Sequence, residues 1–198
     1  MKIYGDLQSG NCYKVKLLCA LLGIEHEWIY VDILAGDTGN SEFLAKNPNG
    51  KIPLLELDDG RCLSESNAIL NYLATDSELL PKDSFALAKV QQWQFFEQYS
   101  HEPYIAVARF IAKYLGLPDD RRADYESKQQ GGHKALAVME GQLQETPYLT
   151  GEQLTTADVA LYGYTHVADE GGFDLNHYPA IQSWLKRIAA HPKYMAMV

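Results

Sequence analysis

The stretch from Pro53 to Leu63 restricts the fold more than any other part of the chain. Pro53 to Leu57 is a short apolar run, Asp58-Asp59-Gly60 is a turn sequence, and Arg61 to Leu63 returns toward strand character. An Asp-Gly turn between two such runs closes a β-hairpin, so the runs are antiparallel neighbours. Upstream, Lys2-Ile3-Tyr4 and Glu27 to Asp32 are strand candidates separated by a helical stretch, Cys12 to Leu22, that Gly23 ends. Two strands joined through a helix pair in parallel. A segment that must hold both kinds of pairing builds a small mixed sheet with helices on its faces.

Ser41 to Lys46 supplies one or two helical turns, Asn47-Pro48-Asn49-Gly50 a strong turn, and Ser64 to Ala74 a closing helix. The resulting order, β-α-β-α-β-β-α, is a thioredoxin-like layout over residues 1–77. Residues 76–84 are polar and contain Pro81, and 78–84 read as a linker. From Phe85 to residue 198 apolar positions follow helical spacing, broken at Gly116-Leu117-Pro118, Thr146-Pro147, Gly171-Gly172 and Pro179. That predicts an all-helical domain of about five helices and places the chain in the α/β plus all-α class.

Composition excludes several functions. The net charge is −9, and acids outnumber bases both before and after residue 77, so neither half suits nucleic acid. The longest apolar run, Leu17 to Ile24, is too short to span a bilayer, which argues against a membrane role. The opening Met-Lys-Ile-Tyr-Gly-Asp places an acid where a signal peptide needs an apolar core. Three cysteines, Cys12, Cys19 and Cys62, make no disulfide framework and suit a reducing compartment, so a cytoplasmic location is expected. The six histidines show no metal-ligand spacing, and no metal is expected.

Four places could carry chemistry. Ile52-Pro53 opens a strand with a residue that cannot donate to the ladder; a trans proline at a strand start is the plain reading, and a cis bond would leave main-chain groups facing outward to pair with a peptide ligand. Ser64-Glu65-Ser66-Asn67 leads into an apolar helix. It reads as an ordinary cap, or as a place where helix N–H groups and Ser66 hold a ligand carboxylate while Glu65 holds an ammonium. Ser9-Gly10-Asn11-Cys12 stands at the start of the first helix, where Ser9 or Asn11 either caps the helix or donates to a thiolate. Thr155-Thr156-Ala157-Asp158 is a capping box with Asp for Glu, a structural feature.

In this order the pieces resemble a cytosolic glutathione transferase across the whole chain. The markers are Asn47-Pro-Asn-Gly-Lys-Ile-Pro53, Leu63-Ser-Glu-Ser-Asn-Ala-Ile-Leu-Asn-Tyr-Leu73, Leu149-Thr-Gly-Glu-Gln-Leu-Thr-Thr-Ala-Asp-Val-Ala-Leu161, and Tyr178 to Arg187 followed by His191-Pro192. The resemblance implies a cis Ile52-Pro53 step pairing with the cysteinyl part of glutathione. It implies that Glu65 and Ser66 bind the γ-glutamyl end, that Lys51 approaches the glycyl carboxylate, and that Ser9 activates the thiol as in theta-like and delta-like classes. Asn11 departs from that pattern and resembles the nu-like class, where disulfide reduction is seen. Tyr4 lies too early in its strand to match the catalytic tyrosine of other classes, and Cys12 is offset from the catalytic cysteine of the beta-like class.

The expected activity is conjugation of the glutathione thiolate to electrophilic apolar substrates, a detoxification reaction, with glutathione as co-substrate and a symmetric homodimer as the assembly. The second substrate would meet Leu7 and the helices carrying Tyr104, Val107, Ala108 and Ile111, residues that equally suit simple helix packing. Two alternatives stand beside it: a glutathione-dependent disulfide or peroxide reductase on the same site, and a binding module without catalysis.

Overall fold

A computed structural model describes residues 1–197. The chain divides into two compact units. One comprises Met1–Glu78 together with the tail from Pro192, and the other Leu79–His191. The helical segment was expected to run to residue 198. Instead, residues 192–197 cluster with the first unit, where the Tyr13 hydroxyl donates to the Met195 carbonyl at 2.7 Å.

The first unit has the expected order. Strands β1 (Lys2–Gly5), β2 (Glu27–Tyr30), β3 (Leu54–Glu56) and β4 (Cys62–Ser64) form one sheet in the order β2-β1-β3-β4. β1 and β2 are parallel; β3 runs antiparallel to both β1 and β4. Helices α1 (Gly10–Leu22), α2 (Ser41–Lys46) and α3 (Ser66–Leu73) cover it. Side chains alternate along the strands and divide the core. Ile3 and Leu55 pack with Val15, Cys19 and Ile69 on the α1–α3 side, and Leu54 packs with Val31, Phe43 and Tyr4 on the α2 side. Gly23 ends α1 in the left-handed conformation (φ 70°), which glycine adopts without steric cost.

The second unit holds α4 (Ser84–Phe96), α5 (Glu102–Arg109), α6 (Arg122–Glu145), α7 (Thr156–Thr165) and α8 (Pro179–Ala189). Every residue of α7 is buried, as its nearly unbroken apolar sequence requires. Asp158 anchors it. The Asp158 carboxylate accepts from the Thr155 and Leu149 backbone N–H groups, each at 2.9 Å, and from Trp184 Nε1 at 3.0 Å. Two π-helical turns, Glu97–His101 and Phe110–Tyr114, bracket α5. The first ends two residues before Pro103, which has no N–H to give, and its closing bond runs from Glu102 N to Glu97 O. Periodicity alone read this stretch as plain helix.

Candidate functional site

The sheet register brings the predicted residues together. Tyr4 and Ser64 both pair with Leu54, one from each side. Carried one residue further, the same register sets Gly5, Pro53 and Glu65 across from one another. β1 ends there and leads through Asp6–Ser9 into α1, while β4 ends and passes directly into α3. Two helix N-termini and the Ile52-Pro53 step thus converge at one edge of the first unit. Such an edge, beyond the carboxyl end of β1, is where open α/β sheets bind ligands.

The Ile52-Pro53 peptide is cis, as the resemblance implied. The loop before it is held from α2: Asn47 is buried, and its Nδ2 donates to the Lys51 carbonyl at 2.7 Å. The Lys51 side chain is exposed. Lys46, at the end of α2, is fixed by Glu56 Oε2 at 2.8 Å and the Tyr4 hydroxyl at 2.6 Å. Tyr4 therefore serves the α2 side of the sheet and not the edge formed by α1 and α3.

Glu65 has φ 70° and ψ 111°, a backbone region that residues with a side chain rarely adopt. Local strain of this kind concentrates at binding sites. The Glu65 side chain is exposed, and Ser66, the first residue of α3, is 6% exposed.

At α1 the cap and the chemistry coexist. Ser9 has extended backbone, and its Oγ accepts from Cys12 N at 3.4 Å. A hydroxyl has two lone pairs and one O–H, so capping uses an acceptor position and leaves the donor function of Ser9 intact. Gly5 lets this helix approach β1. A Cβ there would stand 2.8 Å from Cys12 Sγ and 2.9 Å from the Trp28 ring. Cys12 is fully buried, and burial pushes its thiol up to about 12, against the smaller opposing effect of the Ser9 hydrogen bond. It packs as a buried apolar residue between α1 and β1.

Asn11 is half-buried, and its Oδ1 accepts from Lys14 Nζ at 2.6 Å and from Ser66 Oγ at 3.3 Å. The starts of α1 and α3 are therefore tied together through side chains. Sequence reasoning missed Lys14; its one available signal was a lysine, with Lys16 beside it, inside a helix otherwise apolar from Cys12 to Leu22.

The residues expected around a second substrate fare differently. Leu7, in the β1–α1 turn, is half-buried. Ala108 and Ile111 are both 0% exposed and pack inside the helical unit, which corrects their assignment: side chains without accessible surface cannot meet a ligand. Tyr104 lies against Gly131 of α6, where a Cβ would fall 2.2 Å from its ring. Val107 is half-buried. Among the described residues no helix is long and apolar enough to cross a membrane, and no group of three or more His, Cys, Asp or Glu could hold a metal ion.

Comparison with known proteins agrees with this architecture. Residues 8–76 match the family described as glutathione S-transferase, N-terminal domain, and residues 93–192 the one described as glutathione S-transferase, C-terminal domain. A crystal structure of a glutathione S-transferase from Pseudomonas fluorescens Pf-5 is 62% identical, covers 100% of this chain and 98% of its own, and superposes with a TM-score of 0.98. Glutathione S-transferase 3 of Zea mays is 30% identical over 100% of this chain and 93% of its own length. Elongation factor 1-gamma of Artemia salina is also 30% identical, over 85% of this chain and 40% of its own length.

Proposed function

Because this chain belongs to the glutathione S-transferase family, we propose that it binds glutathione along the edge where β1, the Ile52-Pro53 step and the starts of α1 and α3 meet, and joins its sulfur to an apolar electrophile. The observation that carries this reading is that convergence, with Glu65 held at positive φ within it. The main chain at Ile52 pairs with the cysteinyl residue in the manner of an added strand. The first N–H groups of α3, the Ser66 N–H among them, take the γ-glutamyl carboxylate, Glu65 its ammonium, and Lys51 the glycyl carboxylate. The thiol then meets the start of α1. There the Ser9 O–H, the Asn11 amide and the helix dipole favour thiolate, and the thiol proton passes to solvent. The thiolate forms a C–S bond with an electrophile lying beside Leu7, and the leaving group departs with its bonding electrons.

Asn11, anchored beside Ser9, supports a second reading: disulfide reduction. Here the thiolate attacks a disulfide sulfur, expelling one thiolate and forming a mixed disulfide. A second glutathione resolves it, giving oxidised glutathione and the second thiol. The relation to an elongation factor supports a third reading, a module that binds without chemistry. A symmetric homodimer fits the exposed aromatic side chains of the helical unit, Phe85, Phe95 and Tyr99, which such an assembly would cover.

Ser9→Ala and Asn11→Ala, each assayed for conjugation and for disulfide reduction, separate the readings. The transferase reading expects Ser9→Ala to lower conjugation by about 100-fold, as loss of a hydrogen-bond donor to a developing anion does. If Asn11→Ala abolishes both activities while Ser9→Ala leaves them intact, the assignment of Ser9 is wrong.

A further inference from the structure

Lys14 sits in the second turn of α1 and is completely buried. Removing an ammonium from water is costly unless hydrogen-bond acceptors receive it. Its Nζ donates to Asn11 Oδ1 at 2.6 Å and to Ser66 Oγ at 3.4 Å, and Ser66 Oγ donates to the same Asn11 oxygen at 3.3 Å. This triangle joins the two helix starts that the glutathione reading assigns to opposite ends of the ligand, the thiol at α1 and the γ-glutamyl carboxylate at α3.

The chemistry of the triangle fixes which way the Asn11 amide faces. An ammonium carries three donors and no acceptor, so the amide atom beside Lys14 must be the oxygen. Two donors then occupy the two lone pairs of that oxygen. Every further contact of the amide is made through Nδ2, as a donor. On this basis, and resting on the glutathione reading, we infer that Lys14 is a positioning residue for thiol activation: it holds the Asn11 amide so that an N–H, and never the carbonyl oxygen, is offered to the sulfur. An amide free to turn over would present its oxygen half of the time, and an oxygen lone pair facing a thiolate opposes ionisation. The same ammonium steadies Ser66, so ligand anchoring and thiol ionisation share one buried cation.

The test is the ionisation of the glutathione thiol in the complex, followed by ultraviolet thiolate absorbance against pH. Lys14→Met is expected to raise the bound thiol's pKa by about one unit, a tenfold loss of thiolate at a pH below that pKa. Asn11→Ala is expected to give a shift of similar size. The double variant should shift no further than either single one, because the two residues act as a unit. Lys14→Arg keeps a donor-only cation and should return the pKa toward that of the native protein. General loosening of the site weakens affinity without producing this pattern of ionisation.

An unchanged thiol pKa in Lys14→Met, or a double variant whose shift equals the two single shifts added, overturns the inference. Should Lys14→Met not fold, Asn11→Ala decides: a raised pKa supports the inference and an unchanged one overturns it. If the native protein forms no bound thiolate, the glutathione reading itself fails and the inference with it. A native thiolate that is indifferent to Lys14 and Asn11 overturns the inference alone.

Discussion

Replacing Asp158 with alanine should be among the most damaging single changes to the helical unit. The carboxylate is fully buried and receives Leu149 N, Thr155 N and Trp184 Nε1 at 2.9–3.0 Å, with the Thr155 hydroxyl at 3.1 Å. Trp184 is itself 0% exposed and Leu149 1% exposed, so water cannot simply replace the lost acceptor. Each buried donor left without a partner costs about 1–3 kcal/mol. Three such donors, allowing for relaxation, bring the expected loss to about 4 kcal/mol, a large share of the roughly 5–15 kcal/mol that stabilises a folded domain. In a chain of this size the melting temperature should fall by about 8–16 °C. Asp158→Asn keeps one oxygen but turns an N–H2 group toward a backbone donor, so it should lose about half as much. Urea unfolding followed by circular dichroism measures both. An alanine variant within about 1 kcal/mol of the native protein, or an asparagine variant as damaged as the alanine one, would refute the reasoning.

Two further outcomes follow from burial. His166 stacks on Tyr162 at 4.8 Å with its Nδ1 2.7 Å from the Tyr162 carbonyl, and burial above all lowers its pKa from 6.5 to about 4. Between those values the unfolded chain binds a proton that the folded one refuses. The stability is therefore complete above pH 6.5 and is lost, by about 3 kcal/mol, as the pH falls toward 4. His166→Gln should remove that component from the pH profile, and an identical slope in the variant would contradict it. Burial also pushes the Cys12 and Cys19 thiols up to about 12, whereas Cys62 is exposed. A thiol reagent should modify one cysteine rapidly in the native protein, identified as Cys62 by peptide mapping. Fast modification of Cys12 would mean that the start of α1 opens.

Strong local signals account for what could be read from the amino-acid order. The Asp58-Asp59-Gly60 turn set the β3–β4 pairing, Gly23 stopped α1, and the capping box at Thr155 and Asp158 began α7. Boundaries moved where side chains compete with the backbone. Helix α1 begins at Gly10 because Ser9 caps it, and α3 begins only at Ser66 because Ser64 still pairs with Leu54. Strand β2 stops at Tyr30, and shortly after it Asp32 turns its carboxylate to the N–H groups of Leu34 and Ala35. The π-helical turns on either side of α5 were invisible because their spacing differs from an α-helix by a single residue. The burial of Ala108 and Ile111 depends on how helices pack, which spacing along one helix does not specify. Lys14 was missed for the opposite reason: a lysine is expected at a surface, and only three-dimensional contacts show it holding Asn11 and Ser66.

Titration calorimetry of the native chain and of Glu65→Ala with glutathione tests the central claim most directly. Glu65 is exposed at the edge and held at φ 70° without a side-chain cap hydrogen bond, so its replacement removes the proposed ammonium contact and leaves the core untouched. The account predicts saturable binding to the native chain with a Kd of about 1 mM or tighter, weakened about tenfold in the variant. No saturable binding to the native chain at several millimolar glutathione, or equal binding by both proteins, would contradict it.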